Sequence, residues 1–181
     1  SGGLAVAQIL GLLEHYDLEV LGWNADLVHL YVEAAKLAYA DRSRYMADAD
    51  FVDVPVSGLV DPGYLKGRAG LIDVEKSHGL ALPGDPPPKK VRYWAPDANR
   101  DRAGTSHFVI RDTYGNALSM TSTIESGFGS RVMVRGFLLN NELTDFSRWP
   151  EKDGRPIANR VEGGKRPRSS MAPTIVFKDG Q

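Results

Sequence analysis

The sequence contains no cysteine and only four histidines among its 181 residues. The absence of cysteine excludes disulfides, thiolate zinc sites and a thiol nucleophile. The histidines, at positions 15, 29, 78 and 107, are too scattered to match a metal-binding spacing. No glycine-rich segment has the spacing of a Walker or Rossmann phosphate-binding loop. The sequence therefore predicts no metal and no cofactor.

Strong net charge and long apolar runs are also missing. The 22 basic and 23 acidic residues leave a formal net charge of −1, which argues against nucleic acid as a partner. No uninterrupted apolar stretch approaches the roughly 20 residues needed to span a bilayer. Hydrophobic residues make up 42% of the sequence, enough for a sizeable core. These features predict one globular domain or a large piece of one.

Apolar periodicity and capping residues predict helices in about the first 75 residues. The first predicted helix covers residues 4–16, and its apolar face is formed by Val6, Ile9, Leu10, Leu13 and Tyr16. The second begins after Asn24, a typical N-cap, and its apolar face is formed by Leu27, Leu30, Tyr31, Ala34, Leu37 and Ala38. A third begins at Asp61-Pro62, because proline is favoured in the first helical turn.

Residues 83–104 change character: they are rich in proline and charge and show no periodicity. Such a stretch cannot bury enough apolar area to order itself, so we expect an exposed, mobile linker. A β-hairpin follows, with its turn near Tyr114 and Gly115. Antiparallel pairing about that turn places Thr105 opposite a residue between 123 and 125. Further short strands are predicted at 137–140 and 174–177.

The two ends of the sequence suggest a piece of a longer protein. The chain starts at Ser1-Gly2-Gly3 without a methionine or a signal peptide. It stops just after the predicted strand 174–177, at an Asp-Gly turn signal that normally leads to a partner strand.

Several motifs occur in one order along almost the whole chain. They are Ser1-Gly2-Gly3, Gly104-Thr105-Ser106-His107, Thr121-Ser122-Thr123, Phe128-Gly129, LLNNELTDFS at 138–147 and KRPRSSMAPTIV at 165–176. Together they resemble the γ-glutamyltranspeptidases, also called glutathione hydrolases, which are N-terminal nucleophile hydrolases. The resemblance implies an α/β fold, part of an α-β-β-α sandwich, with a helical first part followed by antiparallel strands.

The resemblance also implies that a precursor cleaves itself between Gly104 and Thr105. Residues 1–104 would then end a large subunit, with the exposed linker 83–104 at its C-terminus, and residues 105–181 would begin a small catalytic subunit. Chemistry agrees, because a threonine hydroxyl needs an adjacent base to act as a nucleophile. Cleavage would create an α-amine on Thr105, a group that ordinarily titrates near pH ~7.7–8.0. His107 lies two residues away on the same strand face and is the alternative to this amine as the base that deprotonates the Thr105 hydroxyl.

Other roles carry over from the family by position. Thr123 matches the threonine that orients the nucleophile. The residues that match the ligands of the substrate α-ammonium group are Glu125, Glu142 and Asp145. Ser169 and Ser170 match the pair that binds the α-carboxylate. The family's oxyanion-hole glycines and its carboxylate-binding arginine fall outside residues 1–181, so we expect this segment alone to be inactive.

The resemblance predicts an enzyme that forms a γ-glutamyl ester on Thr105 and passes it from glutathione to water or an amino acid. Its subunits would form a heterodimer, placed by family habit in the periplasm or outside the cell. One alternative is a cephalosporin or glutaryl amide acylase of the same fold. Glu142 and Asp145 favour the first reading, since a glutaryl group has no α-ammonium. Another alternative is a non-catalytic, uncleaved amino-acid-binding relative.

Overall fold

A computed structural model describes residues 2–87, 93–98 and 104–179. Ser1, at the start of the first motif, lies outside the described residues, as do 88–92 and 99–103 of the predicted linker. Within the described ranges, no helix is long and apolar enough to cross a membrane.

Helices occupy the first part of the chain, as predicted. They are α1 (Gly2–Leu13), α2 (Leu18–Leu21), α3 (Ala25–Tyr45), α4 (Val56–Leu59) and α5 (Pro62–Ala69). The Asn24 side chain caps α3 by accepting a hydrogen bond from Leu27 N at 3.0 Å. Asp61 caps α5 in the same way through Tyr64 N at 2.8 Å. Both predicted N-termini are therefore confirmed.

Helices α1, α3 and α5 pack together around one apolar core. Its fully buried members are Ile9, Leu12, Leu13, Leu30, Ala34, Leu37, Ala38, Leu65, Ala69 and Ile72. The predicted inward positions of Val6, Leu10 and Tyr31 are wrong, since these side chains are 37%, 58% and 53% exposed. Helix α1 is apolar on most of its circumference, so periodicity alone does not determine which face turns inward.

A buried polar cluster centred on Asp41 joins the same helices. The Asp41 carboxylate accepts hydrogen bonds from Gln8 Nε2 at 3.1 Å and Tyr64 Oη at 2.7 Å. It also forms an ion pair with Arg68 at 3.2 Å. Burial, and then the negative charge of Asp41, raise the pKa of the Tyr64 hydroxyl, so this hydroxyl remains a donor. The cluster satisfies a charge that would otherwise be costly to bury.

The predicted hairpin is confirmed. Strand β1 (Thr105–Arg111) pairs antiparallel with β2 (Ala117–Thr123), and Thr105 lies opposite Thr123. Two further hairpins are short: β3 (Met133–Val134) with β4 (Phe137–Leu138), and β5 (Glu151–Lys152) with β6 (Arg155–Pro156). The strand predicted at 174–177 is wrong, because in the described structure this run is irregular and has no paired strand.

The predicted exposed linker 83–104 also needs correction where it is described. Ala95 and Asp97 are 0% and 6% exposed. Ala95 forms a β-bridge to Ile157, and its amide donates to the Pro156 carbonyl at 2.9 Å. Asp97 forms a buried ion pair with Arg168. The local composition predicted exposure. The residues that pair with Ala95 and Asp97 lie about 60 to 70 positions later in the chain, so the sequence of the linker itself does not indicate that these two residues are buried.

Candidate active site

One cavity of about 450 Å³ is lined by every residue that the sequence analysis assigned to the site, apart from His107, the alternative base. Its lining consists of Gly104, Thr105, Thr121, Thr123, Glu125, Glu142, Asp145, Ser169, Ser170, Met171 and Ala172. These residues come from the hairpin end, the 3₁₀ helix Glu142–Asp145 and the loop after Arg168. Tertiary folding thus brings together positions up to 68 residues apart in sequence.

The open end of the hairpin holds the two threonines. Thr105 and Thr123 are directly paired, and the Thr123 hydroxyl oxygen accepts a hydrogen bond from Glu125 N at 2.8 Å. Because that oxygen accepts here, its proton points elsewhere and can be donated to another oxygen. Gly104 lies against the Glu125 backbone so closely that an added Cβ would collide with the Glu125 carbonyl oxygen. A glycine is therefore required immediately before Thr105 in this conformation.

Glu125 follows β2 in a left-handed backbone conformation with φ of 70°. It is buried, and its carboxylate accepts hydrogen bonds from Ser126 Oγ and Asn141 Nδ2. Asn141 in turn accepts a hydrogen bond from Ser126 N at 3.0 Å through its own side-chain oxygen. Asn141 is a supporting residue that the sequence reasoning missed, although it lies inside the quoted motif at 138–147.

Glu142 and Asp145 add two more carboxylates to the same wall. Burial raises the pKa of Glu142 above its ordinary value, and the negative charges of Asp145 and Glu125 raise it further. Three acidic groups that repel one another favour a cation in the cavity, since a cation would relieve the repulsion. An ammonium group suits this wall because charge-assisted hydrogen bonds to carboxylates are strong. Among the described residues, no group of three or more metal-ligating side chains is placed to hold a metal ion.

Ser169 and Ser170 lie in the loop after Arg168 and bring hydroxyl groups to the cavity. Arg42 of α3 donates a hydrogen bond from Nη2 to Ser170 Oγ at 2.7 Å. The sequence analysis missed Arg42. The signal was its position four residues after buried Ala38, which places a cation on the buried stripe of a helix. The cavity therefore combines three acidic groups with two serines, and one of these, Ser170, accepts a hydrogen bond from a buried cation.

His107 is not among the cavity-lining residues. Its Nδ1 lies 2.8 Å from Thr121 Oγ1, and Thr121 does line the cavity. The imidazole therefore contacts the site through a neighbouring hydroxyl.

Comparison with known proteins finds relatives that match along the whole chain. A sequence model of the gamma-glutamyltranspeptidase family matches residues 1–181. The glutathione hydrolase proenzyme of Bacillus subtilis strain 168 is 40% identical over 99% of this chain, which corresponds to 31% of that protein. The acylase ACY 1 proenzyme of Pseudomonas sp. strain SE83 is 37% identical over the whole chain and 30% of its own length. The chain thus spans about a third of the length of these curated relatives.

A solved structure supports the fold. The cephalosporin acylase from Bacillus halodurans superimposes with a TM-score of 0.68 over 91% of this chain and 26% of that chain, at 24% sequence identity. This similarity confirms the predicted α/β fold, with a helical first part followed by antiparallel strands.

Proposed function

Because this chain belongs to the gamma-glutamyltranspeptidase family, we propose that it forms the central catalytic part of an enzyme acting on γ-glutamyl amides such as glutathione. The enzyme transfers the γ-glutamyl group to water or to an amino acid. The observation that carries the proposal is the single cavity in which the candidate nucleophile Thr105, three carboxylates and two serines meet. A γ-glutamyl group carries an ammonium and a carboxylate on one carbon. The three carboxylates of the cavity are suitable partners for the ammonium, and the two serines are suitable hydrogen-bond donors to the carboxylate.

Processing comes first: the Thr105 hydroxyl attacks the Gly104 carbonyl carbon and displaces the Thr105 nitrogen, and water then hydrolyses the resulting ester, which leaves a carboxylate on Gly104 and a terminal amine on Thr105. That amine accepts the proton of the Thr105 hydroxyl while the hydroxyl oxygen attacks the γ-carbonyl carbon of the substrate. The amide C–N bond breaks, the leaving amine takes the proton, and a γ-glutamyl ester remains on Thr105. Water or an acceptor amine then attacks the ester and restores the hydroxyl. Thr123 donates its proton to the Thr105 oxygen and orients it.

Cleavage would divide the chain into 1–104, ending a large subunit, and 105–181, beginning a small one. Several side-chain contacts join the two parts across the proposed cut. They include Arg42 with Ser170, Asp48 with Arg166 at 2.6 Å and Asp97 with Arg168 at 3.2 Å. These contacts support a heterodimer that stays together after cleavage. From the family resemblance alone, we further propose that the enzyme works in the periplasm or outside the cell.

The processing step is tested in the full-length protein, meaning the natural polypeptide that contains residues 1–181. Mass spectrometry of the purified wild type should show two chains divided before Thr105. Thr105→Ala should give one intact chain because the attacking hydroxyl is absent. Thr113→Ala, which removes a hydroxyl from the far turn of the same hairpin, should be processed normally. Normal two-chain processing of Thr105→Ala would contradict the nucleophile assignment.

The substrate class is tested with a γ-glutamyl anilide and the matching glutaryl anilide, which lacks only the ammonium. The acylase relative makes the glutaryl amide a genuine second candidate. Asp145→Asn should raise KM for the γ-glutamyl anilide by about 10- to 100-fold, the effect of losing a hydrogen bond to a charged group. The same change should leave the glutaryl anilide nearly unaffected. Equal losses on both substrates would favour the amide-acylase function.

A further inference from the structure

Arg42 is a buried cation that contacts the candidate carboxylate-binding loop. It lies in α3 and is 3% exposed, and its guanidinium packs over the Tyr39 ring at 5.4 Å. Its Nη2 donates to Ser170 Oγ at 2.7 Å. A buried guanidinium is costly unless hydrogen bonds compensate it, so the contact with Ser170 is part of what keeps Arg42 inside. Arg42 does not itself line the cavity.

The direction of this hydrogen bond determines what Ser170 can do. A guanidinium has donors and no acceptor, so Ser170 Oγ must accept from Arg42. The single proton of the Ser170 hydroxyl then points away from Arg42 and can be donated to an anion in the cavity. A donor that carries positive charge also polarises the hydroxyl and strengthens the bond that it donates onward. Arg42 thereby prepares Ser170 to donate to a carboxylate.

The backbone of the same loop is held separately. An added Cβ on Gly2, at the start of α1, would collide with the carbonyl oxygens of Ser170 and Met171. Close packing against α1 therefore fixes the loop backbone, while Arg42 fixes the Ser170 side chain. A change at Arg42 should consequently alter the hydroxyl orientation more than the path of the loop.

From these contacts we infer that Arg42 is a positioning residue that makes the site selective for donors with a carboxylate beside the ammonium. It acts through Ser170 and does not touch the substrate. The inference rests on the proposed function and adds to it a determinant of specificity in the segment before the cleavage site.

The test uses the full-length processed protein and three competitive ligands that share the γ-carboxylate. L-Glutamate carries both the α-ammonium and the α-carboxylate, glutarate lacks the ammonium, and 4-aminobutyrate lacks the α-carboxylate. Inhibition constants are measured against hydrolysis of the γ-glutamyl anilide. Arg42→Gln should weaken L-glutamate and glutarate by about 10- to 100-fold and 4-aminobutyrate by less than about 3-fold. Arg42→Lys, which keeps the charge and loses reach, should show a smaller loss with the same selectivity.

Two further variants make the test independent of misfolding. Arg44→Gln, two positions along α3 and 3.8 Å from Asp85, is the matched control and should leave all three constants unchanged. Ser170→Ala changes an exposed residue and should reproduce the selective loss. Adding Arg42→Gln to Ser170→Ala should then have little further effect, because the residue through which Arg42 acts is gone.

The outcomes separate the two proposals. Equal weakening of all three ligands by the Arg42 variants, or none, would overturn the positioning role. A selective loss in Ser170→Ala that Arg42→Gln deepens by a further 10-fold would also overturn it, since Arg42 would then act on the ligand directly. Absence of γ-glutamyl anilide turnover by the wild type would instead contradict the proposed function.

Discussion

The ion pair between Asp97 and Arg168 joins the two parts of the chain from inside the protein. Both side chains are almost fully buried, at 1% and 3% exposure, and their charged atoms lie 3.2 Å apart. Ser147 Oγ also donates to the Asp97 carboxylate at 2.9 Å, and the Arg168 amide donates to Asn159 Oδ1 at 3.0 Å. Removing the carboxylate would leave a buried guanidinium without its main countercharge.

We therefore expect Asp97→Ala to destabilise the protein by about 3–5 kcal/mol, the range for breaking a buried ion pair from one side. This loss should appear as a lower Tm of the full-length protein. The measurement is thermal unfolding followed by far-UV circular dichroism, with urea unfolding as a second estimate of the free-energy difference.

The matched control is Asp50→Ala. Asp50 also pairs across the two parts of the chain, with Arg166 at 2.6 Å, but both side chains are more than 70% exposed. Exposed pairs contribute little, so this substitution should hardly change the Tm. In a double-mutant cycle, Asp97→Ala with Arg168→Met should cost less than the sum of the single changes, because no uncompensated charge remains. Similar losses for Asp97→Ala and Asp50→Ala would refute the reasoning that burial gives the Asp97 pair its importance.

Three other predictions concern the site. Glu142→Gln should raise the Tm at neutral pH, because the pKa of the Glu142 carboxyl is raised in the folded state. Ionisation of such a carboxyl destabilises the fold as the pH rises above its unfolded-state pKa near ~4.5, so the gain in Tm should vanish below that pH. A gain in Tm that persists in acid would contradict this. Gly104→Ala should slow processing, because the Cβ of the new alanine would collide with the Glu125 carbonyl oxygen. Mass spectrometry would show this as residual uncleaved chain. Unchanged processing would show that the backbone moves easily. With the Thr105 amine as the base, His107→Asn should keep the rising limb of the kcat/KM pH profile between roughly pH 6 and 9. Loss of that limb would assign the role of base to His107.

Local signals in the sequence were sufficient for several elements. Asn24 and Asp61 were identified as caps because an N-cap hydrogen bond spans only three residues. The turn position predicted that Thr105 lies opposite a residue between 123 and 125, since a hairpin register depends on the turn and on counting, and the structure pairs it with Thr123. The motifs carried the family resemblance, which the similarity of relatives along the whole chain confirms.

The sequence did not reveal features that depend on distant partners. Val6 and Leu10 are as apolar as the residues that α1 buries, and only packing against α3 and α5 determines which face is inside. Asp97 lies in a charged, proline-rich stretch, and its burial depends on partners that are distant in sequence, among them Arg168 and Ser147.

The sequence by itself thus determined the starts of α3 and α5, the hairpin pairing to within two residues and the residues proposed for the site. Each of these depends on interactions over a few residues or on an ordered series of motifs. Only the tertiary structure decided that these residues share one cavity and that Arg42 stands behind Ser170, 128 positions away. Such contacts form because the chain closes long loops to bury charge and apolar surface together, and that outcome depends on the whole fold.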